Sequence, residues 1–600
     1  MQSAVIPPQS GLRGHRSRLT TENLMRGVIP ISVEKTARGV SLWDALAVLL
    51  TFGVLLFFAE GSSHVLLPLS EPRSTAISLA PSALPQYAAR TTLRMLVALA
   101  VSLLFTFTYA TLAAKNRRAE LLLIPLLDIL QSVPILGFIS ITVVFFMSLA
   151  PGRVLGAEFA AIFAIFTSQA WNMAFSFYQS LRTVPVELIE ASRTFRLSAW
   201  MQFWRVEVPF AMPQLIWNMM VSMSGSWFFV VASEAITVGN TTVTLPGVGS
   251  YLAAAIEQKN LTAVLWAVGT MLIVILIYDQ VLFRPLVAWA DRFRFEQQAG
   301  VTPPKSWVLD VLRRSAVVPV MTRPFAASLR RINSLSVLSH VYRPGKPGTG
   351  KLSRQIDVLW LVLLLSFAAY AVWEIAQYVT GTLYLAEVGK AALLGFYTLV
   401  RVMVLIAIAT VIWLPIGVLV GLRPSLAQFI QPIAQFLAAF PANVLFPIAV
   451  SAIVALHLDP DIWLSPLMIL GTQWYILFNV VAGASAIPSE LRDVGTNLQV
   501  KGWLWWRKIA LPAVFPYYVT GAITASGGSW NASIVAEVAS WGDTHLKAAG
   551  IGAYIAQATE AGDMRRVVLG IAVMSFYVVV INRALWRPMY WLAERRSRMG

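Results

Sequence analysis

The chain has 600 residues, 57% hydrophobic and only 12% charged, where soluble domains carry about 25% charged residues; this excludes a soluble globular fold and marks an integral membrane protein. It contains no cysteine, which rules out disulfides, thiolate-held zinc, iron–sulfur clusters and thiol catalysis together. A formal charge of +17 is informative through its placement, which follows the loops rather than a nucleic-acid face.

The first 41 residues are polar and basic, with Arg13, Arg16, Arg18, Arg26, Lys35 and Arg38, and precede an apolar run from Leu42 to Phe58. That run begins too late for an ordinary cleavable signal and has no small-residue cleavage site close behind it. It reads as a retained first span, with the amino terminus inside. Apolar runs of about 20 residues then recur, enough for helices to cross a core of about 30 Å, without the alternation of barrel strands. They predict spans near 42–59, 92–113, 121–150, 157–180, 211–237 and 261–283, and again near 357–378, 391–420, 430–454, 462–484, 514–538 and 565–586.

The connections expected on the inner side are Arg-rich, holding Lys115, Arg117 and Arg118, then Arg182, Arg193, Arg196 and Arg205, and in the second half Arg492, Lys501, Arg507 and Lys508. The opposite loops hold few basic residues, among them Arg73, Arg153 and Lys259, so both termini are expected in the cytoplasm. The organisation expected is a basic tail (1–41), a first repeat (42–285), a basic linker (286–356) and a second repeat (357–600) ending in a short cytoplasmic tail. The linker reads as a solvated segment lying against anionic headgroups. Near its end, "GKPGTGKLS" holds the G-x-x-x-x-G-K skeleton of a phosphate-binding loop. Leu352 stands where a magnesium-holding Ser or Thr is needed, and Pro347 removes a backbone N–H from the anion nest, so a flexible linker is the better reading.

A shift of 303 positions superposes the halves, aligning Pro185 with Pro488, Glu187 with Glu490, Trp200 with Trp503, Pro209 with Pro512, Gly225–Ser226–Trp227 with Gly528–Ser529–Trp530, Glu234 with Glu537, and Arg284–Pro285 with Arg587–Pro588. Repeats with an even number of spans share one orientation, so the predicted fold class is all-α integral membrane: 12 transmembrane helices as two parallel six-helix repeats around a shared passage.

Between the fourth and fifth spans of each half lie "VPVELIEASRTFRLSAWMQFWRVEVPFAMP" and "IPSELRDVGTNLQVKGWLWWRKIALPAVFP". Each opens with Pro and acidic residues, a helix start. A break near Ser192 or Gly495 and a second helix ending at Pro209 or Pro512 are expected. A short amphipathic helix presenting Leu188 and Phe195 suits a groove on a cytoplasmic partner; resting on lipid is the other reading.

These loops carry, twice, the pattern E-L/A-A-x-x-x-G about twenty residues before L-P, which resembles the coupling loop of ABC importer permeases. The strings "SGSWFFVVASEAITVG", "LPGVGSYL", "DQVLFRPLVAWADRF" and "INRALWRPMYWLAERR" are similar to the taurine, nitrate and sulfonate branch of that family, over 85–290 and 385–595. The resemblance implies a fused, duplicated permease of the type I importer kind. It implies two separate ATP-binding cassette ATPase subunits, an extracytoplasmic solute-binding protein, and ATP and Mg held by the partner subunits rather than by this chain. The implied setting is the bacterial inner membrane, with lipid and not nucleic acid as the surroundings. Carried onto this sequence, the coupling residues are Glu187, Leu188, Glu190, Ala191, Phe195, Glu490, Leu491, Asp493, Gly495 and Leu498. Ser192 in place of the family's Gly, Glu207 and Val208 before Pro209, and Asp493 and Val494 in the second loop depart from the pattern and imply unequal contacts.

Glu234 and Glu537, late in the fifth spans, need partners or water, since a mid-membrane carboxylate costs about 2.5–3.5 kcal/mol. Arg94 and Arg401 are expected at the same depth, giving the pairs Arg94–Glu234 and Arg401–Glu537, either as pins between spans or as gating and anion-attracting groups. Pro134 and Pro441 break the third spans. Ser132, Asn172, Ser226, Asn443, Asn479 and Ser529 supply neutral hydrogen-bonding groups for a translocation pathway, although most such groups join helices. A 12-span secondary transporter shares the layout, but "AAKNRRAELL" lacks the Gly, Asp and Arg-Gly-Arg pattern expected of one. Scattered histidines and the absence of paired carboxylates at a face argue against an enzyme.

Overall fold

The structure, a computed structural model, describes residues 42–46, 48, 53, 77–132, 142–143, 145–151, 153–238, 241–293, 306–315, 323, 351–381, 384–440, 442–485, 487, 489–541, 544–589 and 592. Helices account for nearly all of them, and seven are long and apolar enough to cross a membrane. The first repeat is built from α1 (Leu84–Lys115), α2 (Val154–Arg182), the short α3 (Val186–Thr194), α4 (Val208–Glu234), a hairpin β1 (Ala235–Val238) and β2 (Thr241–Thr244), α5 (Val248–Glu257) and α6 (Leu261–Tyr278). After α7 (Lys351–Thr380), the second repeat follows the same order: α8 (Leu385–Gly421), α9 (Trp474–Ser485), α10 (Ser489–Asn497), α11 (Leu511–Ala536), β3 (Val538–Trp541), β4 (Thr544–Lys547), α12 (Ile551–Glu560) and α13 (Met564–Ile581).

Small residues let these helices approach closely. Ala160, Ala164 and Ala170 of α2 are fully buried, as are Ala522 and Ala525 of α11. Where lipid tails are as apolar as leucine, such close packing is what holds helices together. The two largest fully buried side chains, Trp227 and Trp530, come from the paired "GSW" strings. Each lies nearly parallel to a tyrosine at 6.5 Å, Tyr278 and Tyr577 respectively. The repeats also exchange contacts: the helix Pro424–Ala439 packs on α4, and Arg117–Ser132 packs on α13.

Several sequence expectations are corrected. The span expected to reach 237 ends at Glu234, and the chain turns into a hairpin, with Ala235 opposite Thr244 and Val238 opposite Thr241; the second repeat pairs Val538 with Lys547 in the same way. The run 462–484 is broken: Pro460–Trp463 and Ser465–Met468 are separate turns, and helix resumes only at Trp474. Pro460 and Pro466 each stand in the first turn of these pieces, where the missing N–H costs nothing. The run 430–454 divides into Pro424–Ala439 and Phe446–Ala455. The stretch 121–150 is helical over Arg117–Ser132, while residues 133–141, with Pro134, and Pro441 lie outside the described residues. So does most of 42–59, and so does 345–350 of the phosphate-loop-like stretch; Lys351 opens α7.

The linker contributes packed structure rather than only a solvated tether. Ser306 caps the helix Trp307–Arg314, accepting the Leu309 N–H at 3.3 Å, and Val308 and Val311 are buried. Beyond it, Ser315 donates to Asp44 at 2.9 Å, and the Arg314 guanidinium lies over the Trp43 ring at 5.0 Å.

Candidate functional site: two carboxylate clasps and two exposed loops

Prolines 209, 285, 512 and 588 sit in helices that continue past them. Each follows a π-helical turn (Phe203–Glu207, Asp279–Phe283, Trp506–Ala510 and Asn582–Trp586). In each, a wider i→i−5 bond closes the turn, as from Val208 N–H to the Phe203 carbonyl and from Leu511 N–H to Trp506. The extra residue makes room for the proline ring and its missing donor. The second loop helices therefore do not end at Pro209 or Pro512. Ala199–Glu234 and Gly502–Ala536 each run unbroken from the loop to the hairpin.

The loop break also falls later than the sequence suggests. Ser192 and Gly495 lie inside α3 and α10. The left-handed residues are Arg196 (φ 52) and Gln499 (φ 55). Leu197 N–H returns to the Ser192 carbonyl at 3.0 Å and Val500 N–H to Gly495 at 2.9 Å, the bond of a Schellman C-cap, here closed without glycine. Gly495 packs closely, since a Cβ there would come 2.6 Å from Ile509 Cδ1 and that terminal methyl would have to move. In the first loop the aligned residues are Ser192 and the shorter Val206; the Ser192 hydroxyl donates to the Ile189 carbonyl (2.6 Å) and to Gln202 Oε1 (3.2 Å). Glu207 is buried and ion-paired with Lys115, and it accepts from Gln202 at 2.9 Å. The second repeat has Ala510 there.

Of the residues assigned to coupling, Glu187, Glu190, Ala191, Phe195, Leu491, Asp493 and Leu498 are exposed, Leu188 is half-buried and Gly495 is buried. The side chain of Glu490 lies outside the described residues. Phe195 is 67% and Leu498 70% exposed, and Val186, Val494 and Trp503 of the same loops are exposed too.

At the opposite end of α4 and α11, each hairpin delivers the chain into a short helix clasped by a carboxylate. Glu234 is fully buried. Its Oε1 accepts from Thr91 and from Arg94, both at 2.7 Å, and its Oε2 accepts the Gly249 N–H at 2.6 Å. The Val248 N–H donates to Thr91 at 3.0 Å. The open amides at the start of α5 are thus satisfied by an anion and a hydroxyl, as a helix amino end favours. Glu537 repeats the arrangement, accepting from Thr398 (2.7 Å), Arg401 (3.2 Å) and the Ala553 N–H (3.0 Å), while the Ile551 N–H donates to Thr398 at 3.0 Å. A Cβ on Gly247 or Gly550 would overlap the carboxylate, which explains "LPGVG" and "AAGIG". The structure therefore contains both expected arginine–glutamate pairs, together with two carboxylates that sequence reasoning misses. Glu158 takes the rest of Arg94, and Asp461, one repeat shift later, contacts Arg401 at 3.0 Å. The 303 register contained that signal.

Between these ends, the neutral groups mostly join helices. Asn172 donates to Ser222 (3.1 Å), Ser226 bonds Ser168 (3.0 Å), Ser529 bonds Thr472 (2.9 Å), and Asn479 donates to the Tyr475 carbonyl (2.8 Å). Tyr475 sends its hydroxyl to the face of Gly225 in the other repeat, where a Cβ would overlap it. The side chains of Ser132 and Asn443 lie outside the described residues.

The family model described as "Binding-protein-dependent transport system inner membrane component" matches twice, over residues 106–284 and 413–598. The chain is similar to the bicarbonate transport system permease protein CmpB of Synechococcus elongatus, 30% identical over 195 residues, 32% of this chain and 66% of that protein. It is also similar to the nitrate import permease protein NrtB of Leptolyngbya laminosa, 28% identical over 185 residues, 31% of this chain and 63% of that protein. A third relative, the putative ABC transporter permease protein MJ0413 of Methanocaldococcus jannaschii, is 23% identical over 267 residues, 40% of this chain and 97% of that protein. The chain thus covers just under two thirds of the length of the first two relatives.

Proposed function

The chain belongs to the binding-protein-dependent transport system inner membrane components and carries their domain twice; from that membership we propose that it is the fused permease of an ATP-driven importer for a small anion. On this reading twelve spans cross the inner membrane with both termini in the cytoplasm. Two ATPase subunits, which hold the ATP and Mg, seat on α3 and α10, and a solute-binding protein delivers cargo at the outer face. The names of the bicarbonate and nitrate relatives favour a small planar oxyanion, and the resemblance of the sequence motifs keeps a sulfonate or a related organic anion among the cargoes.

The observation that carries the coupling role is the pair of inner loops. Each exposes a large apolar side chain, Phe195 or Leu498, immediately before a non-glycine residue held in the left-handed region, a conformation that costs about 1–2 kcal/mol. Each loop is joined by unbroken helix to a carboxylate clasp 36 or 35 residues away. Such loops suit insertion into grooves on a partner.

Because the chain has no cysteine, single Phe195→Cys or Leu498→Cys variants place one thiol each. In the assembled complex both are expected to crosslink to the ATPase subunits, with less crosslinking once ATP drives rearrangement. Labelling of both thiols by a water-soluble reagent, undiminished by the ATPase subunits, would overturn the reading.

A further inference from the structure

One guanidinium in each repeat joins the same elements, yet only one of the two is saturated. Arg94 offers Nε and Nη2 as a fork to both oxygens of Glu158, at 2.6 and 2.7 Å. Its Nη1 reaches Glu234 at 2.7 Å and the Pro246 carbonyl at 3.1 Å, and only 4% of the side chain is exposed. Arg401 keeps the matching Nη1 bonds, to Glu537 at 3.2 Å and the Ala549 carbonyl at 2.9 Å. Its Nη2 meets only Asp461 Oδ1, at 3.0 Å.

Asp461 is one methylene shorter than Glu158, and the same Oδ1 also accepts the Ala549 N–H at 2.6 Å. It is thereby held at one corner of the guanidinium. Arg401 Nε has no hydrogen-bond partner among the described residues and is not among their buried unpaired atoms, so it meets solvent. The Arg401 side chain is 14% exposed and that of Asp461 52%.

We propose that the Nε–Nη2 edge of Arg401 is a binding site for a planar oxyanion of the carboxylate, nitrate or bicarbonate type, and that Glu158 on Arg94 displays within the same chain the geometry such an anion adopts. Planar guanidinium and planar oxyanion match through two parallel N–H···O bonds. An entering anion competes with Asp461 for Nη2, while Asp461 Oδ1 keeps the Ala549 N–H and stays close by. The anion thus adds a negative charge beside Asp461 and Glu537, which favours weak, reversible occupancy over capture. The proposal rests on the importer reading only for the face of the membrane involved and for its use as an entry station; binding itself does not depend on it.

The test uses the full chain in lipid nanodiscs without ATPase subunits, titrated with carbon-13 formate and nitrogen-15 nitrate and followed by NMR line broadening. Wild type is expected to show saturable binding. Asp461→Glu, which supplies the side chain found in the first repeat, is expected to weaken it about tenfold by filling the edge. Arg401→Lys, which keeps the charge but not the fork, is expected to lose it likewise. Glu158→Asp is expected to add a second site of similar affinity on Arg94. Absence of saturable binding in wild type, or equal binding in wild type and Asp461→Glu, would overturn the proposal. A chain that binds formate as described but fails to couple to ATPases would refute the importer reading alone.

Discussion

Glu234 Oε2 accepts the Gly249 N–H at 2.6 Å, so a carboxylate at the end of one helix holds the amino end of the next. Because the cluster is buried, removing Glu234 leaves the Gly249 N–H and the Thr91 hydroxyl without their acceptor, at a cost of about 1–3 kcal/mol each, while Arg94 keeps Glu158. Glu234→Ala is expected to lower the thermal midpoint of the detergent-solubilised chain far more than Asp461→Ala, whose side chain is half in water. Combining Arg94→Glu with Glu234→Arg is not expected to restore stability, because a carboxylate at position 94 would face Glu158 in place of the present 2.6 Å bond. A double reversal as stable as wild type would contradict this arrangement.

Gly247 and Gly550 press against the two carboxylates. Gly247→Ala and Gly550→Ala are each expected to destabilise by at least the roughly 1–3 kcal/mol typical of overpacking, visible as aggregation or a lowered midpoint in fluorescence-detected size exclusion. Since the φ of Gly247 is −176, an extended value open to any residue, the defect should come from volume. Gly247→Ser should behave like Ala.

Lys115, which is partly exposed, ion-pairs with the buried Glu207. With the second spans aligned through Arg94 and Arg401, the other repeat has Leu422 and Ala510 at these places. Lys115→Leu alone is expected to cost about 3–5 kcal/mol, whereas Lys115→Leu with Glu207→Ala should return to within about 1–2 kcal/mol of wild type, as buried pairs exchanged for apolar residues commonly do. Thermal melts of the three variants measure the coupling, and strictly additive losses would refute it.

Gly225 and Tyr475 meet across the two repeats. Gly225→Ala is expected to impair assembly, because its Cβ would overlap the Tyr475 hydroxyl. Adding Tyr475→Phe should rescue it, since the ring carbon behind the hydroxyl would lie 3.5 Å away, ordinary van der Waals contact. If the double variant is as unstable as the single one, the contact is not what limits Gly225.

Phe195→Glu and Leu498→Glu remove exposed apolar surface, so the chain itself should keep its stability within about 0.5 kcal/mol. Transport-coupled ATP hydrolysis by the assembled complex should nevertheless fall severalfold. Unchanged hydrolysis with both substitutions present would argue against these loops as the coupling contacts.

Much of this is legible in the sequence. The apolar runs locate α2, α4 and α11 within three residues and α1, α6, α8 and α13 within eight, and the 303 register pairs the two glutamates. What escapes has local causes. Prolines 209 and 512 read as helix ends because a π turn that accommodates them has no composition signal. Ser192 and Gly495 suggest the break because glycine and serine suit helix ends, whereas the turn is made by Arg196 and Gln499, whose types do not announce a left-handed backbone. Glu158 and Asp461 go unnoticed because each opens an apolar run and reads as a flank. The hairpins, four residues to a strand, are too short for alternation to show.

The unbroken course of Ala199–Glu234 has a mechanical consequence. At about 1.5 Å per residue, its 36 residues reach roughly 54 Å, from the exposed loop to the carboxylate clasp. The π turn at Phe203–Glu207 and Pro213 both fall in its first half, where such a helix can bend, so the stiff stretch is the one that ends at Glu234, and Pro516 sets the same division in the second repeat.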